Sequence, residues 1–430
     1  MLQRLREHPA APLYRNRSGN RLTFEDVDAL RIFEHETLAA NVGFTPGRPP
    51  QWLPDFVQRV FESVPHYKAL GSPERRFEDL PTIGRGDLAA DIAQFVPDDI
   101  PTDRLINFRT TGTTGHPLLI ASHPVVAARY LAFHKRALRR FGVELTHGRD
   151  QVGVVLLGHQ RKCFTYVSVT PLMDESGLAK INLHPDDWRA LEDRARYLDA
   201  LDPEVYAGDP ISFATFATLP ITTRPRALIS VSMALSPGLR SLLETRFNCP
   251  VLDVYSLNEA GPVGVFDSSS GGHVLLQPNL YVEILDDLGK PVAAGERGEI
   301  TLSGGFNFCL PLLRYRTGDF GALVAGSDAP VIMGLSGRQP VRYRTAPETW
   351  INNIDISHAL AAVPASRFAL HQHADGSLTL RLAPAERGLS DEAMARLRTL
   401  FGEQRLTVRA FAEEDKVLQY TSDLDDALLT

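Results

Sequence analysis

Nine consecutive residues, Arg109-Thr110-Thr111-Gly112-Thr113-Thr114-Gly115-His116-Pro117, concentrate hydroxyls and glycines in one short run. Gly112 and Gly115 let the backbone enter conformations that other residues avoid. Thr110, Thr111, Thr113 and Thr114 set hydroxyl donors beside backbone N–H groups. A turn of this composition can wrap a phosphate, because N–H and hydroxyl groups converge on one anion. The same composition also suits a plain Thr-rich hairpin turn, and short glycine motifs recur by chance.

Three later runs offer partners for that loop. In Asp253-Val254-Tyr255-Ser256-Leu257-Asn258-Glu259-Ala260-Gly261-Pro262 an apolar strand leads into an aromatic residue, polar side chains and a carboxylate. A ligand at the carboxyl end of parallel strands would meet Tyr255 as a stacking face and Glu259 as a charge. Glu259 could hold Mg2+, a hard cation that takes oxygen ligands and bridges to phosphates. A solvated loop glutamate is the plainer reading. In Leu312-Leu313-Arg314-Tyr315-Arg316-Thr317-Gly318-Asp319-Phe320 a strand with two arginines is expected to turn through Thr-Gly into Asp319. A carboxylate there can accept hydrogen bonds from the vicinal hydroxyls of a ribose, or it is an ordinary turn aspartate. Finally, Gly337-Arg338 places a guanidinium where it could reach ribose or phosphate oxygens.

The elements that must position these residues follow from patterning. At 430 residues the chain is too long for one compact core. Residues 1–100 read as mostly helical, with Thr23-Phe24-Glu25-Asp26 opening one helix and Trp52–Phe61 at helical spacing. Phe77–Leu88 reads as a short turn into another helix. Leu118–Ala121 is strand-like, and residues 124–141 carry apolar side chains near a 3.6 period. Gln151–Gly158, Val205–Gly208, Ala227–Val231 and Val251–Tyr255 read as short buried strands, separated by helices at 186–200 and 236–247. Strands alternating with helices indicate a layered α/β unit. From about residue 262 short strands and tight turns take over, including His273–Gln277, Leu280–Leu285 and Gly298–Ser303. This is a barrel-like β segment that ends at Ser336-Gly337-Arg338. Residues 338–430 predict a small α+β unit, with helices near 354–361 and 390–401 and strands at Ser377–Leu382 and Leu406–Phe411. The expected organisation is one large unit over 1–337 and a smaller one over 338–430, with no internal repeat.

Composition narrows the function classes. Hydrophobic content of 43% and charged content of 23% are ordinary for a soluble globular protein. A net charge of -7 and a pI near 6.0 argue against a general nucleic-acid binder. Cys163, Cys249 and Cys309 make no disulfide framework and no paired ligand spacing. The first residues are charged with no apolar run behind them, so neither a signal peptide nor a membrane span is expected, and the cytoplasm is the expected compartment.

Taken in order, the four motifs resemble the adenylate-forming (acyl-CoA synthetase) superfamily. That superfamily carries a Ser/Thr-Ser-Gly-Thr-Thr-Gly-Lys-Pro phosphate loop, a Tyr-Gly-Leu-Thr/Ser-Glu motif, a Tyr-Arg-Thr-Gly-Asp motif and a Gly-Arg hinge. Asp79-Leu80-Pro81 and Glu259-Ala260-Gly261-Pro262 are similar to the phenylacetate–CoA ligase and CapK-like branch. The resemblance covers roughly residues 50 to 360 and implies ATP-dependent activation of a small, aryl-type carboxylic acid. An acyl-adenylate forms with release of pyrophosphate, and the thiol of CoA then displaces AMP. It implies that Thr110 to Gly115 hold the ATP phosphates and that Tyr255, Ser256, Asn258, Asp319 and Arg338 hold adenine and ribose. Glu259 would carry Mg2+, and the small C-terminal unit would move as a lid. The superfamily's catalytic lysine sits near the chain end; Lys416, the only lysine after Lys290, occupies that place here. Walls for the acyl pocket are expected at His159, Phe164, Tyr166 and Met233.

Departures from the family pattern cluster on the second half-reaction. His116 replaces the loop lysine, Ser256 and Asn258 replace Gly and Thr/Ser, and Ser230–Pro237 stands where the family has Gly-Gly-Ala-Glu-Pro. Gln339-Pro340-Val341 follows the hinge, and Arg344-Thr345-Ala346-Pro347 lacks the family's Arg-Gly-Val-Asn. Adenylation is therefore the firmer expectation, and an amine, a carrier-protein thiol or a small nucleophile stays open as the acceptor in place of CoA. A non-catalytic nucleotide-binding relative is the remaining alternative. After the Gly-Pro only His273 and Cys309 could join a Cys/His cluster, so no structural zinc is expected there. A monomer or homodimer is expected, with neither nucleic acid nor membrane as partner.

Overall fold

The computed structural model describes residues 1–14, 22–71, 76–109, 119–159, 163–337, 341–346, 349–352, 356, 359–360, 362–365, 368–411 and 420–424. The phosphate-loop candidates Thr110, Thr111, Gly112, Thr113, Thr114 and Gly115 lie outside these residues, as do Arg338 and Lys416.

One 13-stranded sheet organises the larger part of the chain. From one edge it runs through Leu280–Leu285, Arg297–Gly304, Leu312–Val324, Val331–Gly337, Gly272–Leu275, Gly261–Asp267 and Val251–Leu257. These neighbours are antiparallel. Beyond Val251–Leu257 the sheet becomes parallel through Ala227–Ser230, Val205–Gly208, Val152–Gly158 and Ser176–Asn182. Tyr166–Thr170 closes that edge antiparallel. Ile83–Gly84 lies off the main path and pairs parallel with Leu312–Val324. The β segment expected after residue 262 thus runs on from the α/β layer, through the hairpin that joins Val251–Leu257 to Gly261–Asp267.

Local sequence explains the helices that flank the parallel strands. Pro124–Arg140 begins with proline in its first turn, where a missing N–H costs nothing, and His123 Nδ1 accepts from the Val125 amide at 3.2 Å. Phe133 and Leu138 on this helix are buried, each worth roughly 1.5–3 kcal/mol over exposure. Pro237–Phe247 is capped by Ser236 Oγ on the Leu239 amide at 3.2 Å. Pro210–Thr218, which periodicity did not reveal, is capped by Asp209 on Ser212.

The helix expected over 186–200 is shorter, Asp193–Leu201, preceded by a 3-10 turn at Pro185–Asp187. Side-chain bonding prevents an earlier start. Asn182 Nδ2 donates to Asp187 at 2.8 Å, and Trp188 Nε1 donates to the Asn182 carbonyl at 2.8 Å. Asp319 does not follow a turn either. It lies inside the continuous strand Leu312–Val324, where register shifts and Gly318 at φ 76° absorb the irregularity.

A separate hydrophobic cluster gathers residues of the smaller α+β unit, including Val341, Tyr343, Leu370, Leu380, Leu397 and Phe401. Its four-stranded sheet has the order Leu406–Ala410, Leu378–Leu382, Phe368–Gln372, Tyr420–Ser422. The helix Ser390–Phe401 packs on it. The helix expected near 354–361 lies mostly outside the described residues. Among the described residues no helix is long and apolar enough to cross a membrane.

Candidate functional site

The carboxyl end of the parallel strands and the start of the antiparallel ones meet at Glu259. This residue occupies the tight connection between Val251–Leu257 and Gly261–Asp267, whose register closes at Leu257 opposite Gly261. Gly261 has φ 69°, and a Cβ there would stand 2.1 Å from Phe306 Cε1. Only glycine meets both demands, so the hairpin that carries Glu259 depends on it.

Glu259 is buried at 4% exposure. Its Oε1 accepts from Arg85 Nη1 at 3.2 Å and from the Tyr315 hydroxyl at 3.1 Å. Both partners are brought by the parallel pairing of Ile83–Gly84 with Leu312–Val324, which sets Ile83 opposite Tyr315. Burial, with Glu259 adding to it, raises the Tyr315 phenol well above its ordinary value, so it serves as a neutral donor. Tyr130 is pushed up to about 12 by burial and by the charge of Glu259.

A second pair lies on the next strands. The Tyr255 hydroxyl donates to Asp319 Oδ2 at 2.8 Å, and the Asp319 amide donates to Thr317 Oγ1 at 3.0 Å. Burial and the neighbouring Asp319 hold the Tyr255 phenol protonated. Asp319 also pairs in register with Gly337, the last residue before Arg338. Ser256 is half-buried opposite Pro262, and Asn258 is exposed at the hairpin tip beside Glu259.

The two arginines flanking Tyr315 divide differently. Arg314 is buried against Glu283 at 3.4 Å and donates to the carbonyls of Glu78, Leu80 and Gly289. It holds the fold together. Burial pushes Glu283 up to about 7, with Arg314 pulling in the opposite direction. Arg316 bonds Glu299, whose other oxygen accepts from the Gly318 amide at 3.0 Å. That pair fixes the backbone entering Asp319.

The residues expected to wall the acyl pocket differ in setting and exposure. His159 follows the strand Val152–Gly158, from which the chain proceeds first to one side and then to the other, the kind of switch point where α/β sheets bind ligands. Its Nδ1 lies 2.6 Å from Thr215 Oγ1, and its ring meets that of His184 at 5.7 Å. Burial first, then the charge of His184, lowers its pKa. Tyr166 pairs opposite Lys180 on the neighbouring edge. Gly158 leaves room there: a Cβ on it would lie 2.8 Å from Cys163 Sγ and 3.7 Å from Lys180 Nζ. Phe164 and Met233, by contrast, are 69% and 46% exposed. Arg85, Tyr315 as a Glu259 partner, Thr215, His184 and Lys180 join these side chains without a local signal in the sequence. A two-residue strand such as Ile83–Gly84 carries no periodicity, and nothing local ties Arg85 to a hairpin 174 positions away.

No family model matches the chain. Over 94 residues it is 32% identical to the phenylacetate–coenzyme A ligase of Escherichia coli (strain K12), covering 21% of this chain and 22% of that protein. Over 301 residues it is 22% identical to protein CapK of Staphylococcus aureus, covering 66% of this chain and 64% of that one. The chain thus spans between about a fifth and two thirds of the length of the curated relatives it matches. Among solved structures, 2-hydroxyisobutyryl-CoA ligase in the postadenylation state, in complex with 2-HIB-AMP, superposes with a TM-score of 0.63 at 18% identity. That match covers 86% of this chain and 88% of the ligase, and it establishes a shared fold. The chain thus shares its fold with an acyl-CoA ligase, and its curated relatives are phenylacetate–coenzyme A ligases and protein CapK, the branch of the adenylate-forming superfamily that its motif order resembles.

Proposed function

We propose that this chain is an AMP-forming ligase that activates a small, aryl-type carboxylic acid and passes it to CoA. The observation that carries the reading is the Tyr255–Asp319 bond of 2.8 Å beside the Asp319–Gly337 pairing. In this reading Asp319 would offer its carboxylate to a ribose near the end of the strand that leads to Arg338. The phenylacetate–CoA ligases among the relatives and the acyl-AMP and CoA complexes among the solved structures support the same reading.

In this reading the carboxylate oxygen attacks the α-phosphorus of ATP, the bond to the β-phosphate oxygen breaks, and pyrophosphate leaves. The CoA sulfur then attacks the acyl carbon, and AMP leaves with the electron pair of the broken C–O bond. Residues 110–115 would hold the phosphates through hydroxyls and amides, and Asp319 and Arg338 would hold the ribose. Tyr255 would lie against adenine, with Ser256 and Asn258 at its rim. Lys416 would contact the carboxylate and phosphate during adenylation. Residues 1–337 would carry the ATP and acyl sites, and 338–430 would close over them. His159, Phe164, Tyr166 and Met233 would wall the acyl pocket.

Mg2+ suits the donor set at Glu259. Such ions bind through one or two carboxylates plus substrate phosphates, and Glu259 offers one buried carboxylate, with Arg85 and Tyr315 both on Oε1. When bound, the ion would neutralise phosphate charge in a reaction governed by positioning and electrostatics. Arg85, bonded to Oε1, would hold the Glu259 carboxylate in place for that role.

Pyrophosphate release with a panel of aryl and aliphatic acids tests the proposal. Hydroxylamine trapping without CoA, then product analysis with CoA, tests the two steps separately. Asp319→Asn is expected to lower pyrophosphate release by about 100-fold, in line with losses for single electrostatic groups. No release with any acid sinks the reading, and trapped adenylate with no CoA adduct transfers it to another nucleophile.

A further inference from the structure

The smaller unit gathers two imidazoles and a carboxylate on the polar side of its four-stranded sheet. His371 sits on Phe368–Gln372, in register with Thr379 on one neighbouring strand and Thr421 on the other. His373 follows two residues later on the same side, as the period of a strand requires. Asp423 comes just after Tyr420–Ser422, the edge strand parallel to Phe368–Gln372.

Each ring is anchored at its outer nitrogen. His371 Nδ1 lies 2.8 Å from Thr421 Oγ1, and His373 Nε2 lies 2.8 Å from Thr379 Oγ1, which in turn lies 3.2 Å from Thr407 Oγ1. The inner nitrogens face one carboxylate oxygen. His371 Nε2 is 3.0 Å and His373 Nδ1 is 3.9 Å from Asp423 Oδ2. One ligand atom from each of the three residues lies within 4.8 Å of the others.

Four-coordinate zinc, with bonds near 2.0–2.1 Å, holds its nitrogen and oxygen ligands about 3.3 Å apart. The measured separations bracket that value, so a small ring movement closes the set. Metal-bound histidines have their second nitrogen fixed by a hydrogen-bonding partner, which orients the ring; the two threonines meet that requirement here. Two imidazole nitrogens facing one carboxylate oxygen also call for a proton or a metal ion between them. The side chains are 26%, 44% and 53% exposed, which leaves an approach for the ion and room for a fourth ligand.

We propose that His371, His373 and Asp423 form a binding site for a divalent transition ion of the zinc class. Imidazole selects such ions over magnesium, which prefers an all-oxygen shell, so this site is chemically distinct from Glu259. It would fasten the short edge strand Tyr420–Ser422 to the sheet.

Equilibrium dialysis of the untagged, chelator-stripped full chain against zinc chloride tests the site. One zinc ion per chain is expected, with cobalt(II) in its place showing the visible bands of a four-coordinate complex. His371→Gln and Asp423→Asn are each expected to weaken binding by at least about 100-fold, and Thr421→Val by roughly 10–100-fold, as loss of an orienting partner does. Cys249→Ser should leave the affinity unchanged. Asp423 is half-exposed, so Asp423→Asn keeps the test valid if His371→Gln disturbs the strand; circular dichroism checks both. A zinc affinity weaker than about 100 μM, or one that survives both His371→Gln and Asp423→Asn, overturns the proposal.

Discussion

Replacing Arg85 by methionine removes the guanidinium from Glu259 while keeping much of the side-chain volume. The pair is 3.2 Å apart, with Arg85 28% and Glu259 4% exposed. At an effective dielectric of about 20 the attraction at that distance is about 5 kcal/mol, before desolvation is subtracted. Removing one partner of a fully buried pair typically costs about 3–5 kcal/mol, because the other charge stays buried without compensation. Arg85 is more than a quarter exposed, so water screens part of the effect. The expected loss for Arg85→Met is therefore about 2–3 kcal/mol. Glu259→Gln still accepts the Tyr315 hydroxyl and should cost less, about 1–2 kcal/mol. The double variant no longer buries a lone charge and should recover a coupling energy of at least about 1.5 kcal/mol. Urea unfolding of the four proteins at pH 7 measures the cycle. A coupling below about 0.5 kcal/mol would place the pair with exposed ion pairs and refute the argument that Arg85 sustains the buried charge. Pyrophosphate release then separates stability from chemistry: the double variant should be stable and inactive.

Tyr255→Phe removes the hydroxyl bonded to Asp319; a stability loss of about 1 kcal/mol is expected, with a KM for ATP raised about tenfold and kcat little changed, and an unaltered KM would count against a ribose role. Gly261→Ala forces a Cβ to within 2.1 Å of Phe306 Cε1 at φ 69°. Overpacking and left-handed strain together should cost about 3 kcal/mol, and a melting temperature equal to the parent's would contradict the close approach. Asp253 and His273, 4.0 Å apart, should give opposing pH dependences. Burial raises Asp253 from 3.8 to about 6, so its contribution is full below 3.8 and is lost as pH rises through about 6. Burial lowers His273 from 6.5 to about 3, so its contribution is full above 6.5 and is lost as pH falls through about 3. Each proton is worth about 1.4 kcal/mol per pH unit, and the two slopes offset one another between pH 4 and 6. Asp253→Asn should therefore lose stability on acidification from 6.5 toward 3, and His273→Gln should lose it as pH rises from 3.8 to 6. Unfolding midpoints across that range check both, and profiles parallel to the parent's would refute the opposition.

Part of this fold was legible from local signals in the chain. Apolar runs ending in glycine marked Val152–Gly158 and Val205–Gly208, because a strand buried on both faces needs no alternation. Thr23 before Phe24-Glu25-Asp26 marked the start of the helix Phe24–Ala39, because capping involves residues three apart. Tyr255, Glu259 and Asp319 stood out as candidates because their neighbours form short ordered motifs. What those carboxylates touch was decided only by tertiary structure. Arg85 reaches Glu259 across 174 positions through a two-residue parallel strand that has no pattern of its own. Arg314 and Arg316, alike in sequence, were divided by the fold, one into a buried pair with Glu283 and the other against Glu299. His371, His373 and Asp423 likewise meet only because an edge strand near the chain end pairs parallel with Phe368–Gln372. Periodicity reads the face a residue takes on its own element; which elements become neighbours depends on burying those faces together, a property of the whole chain.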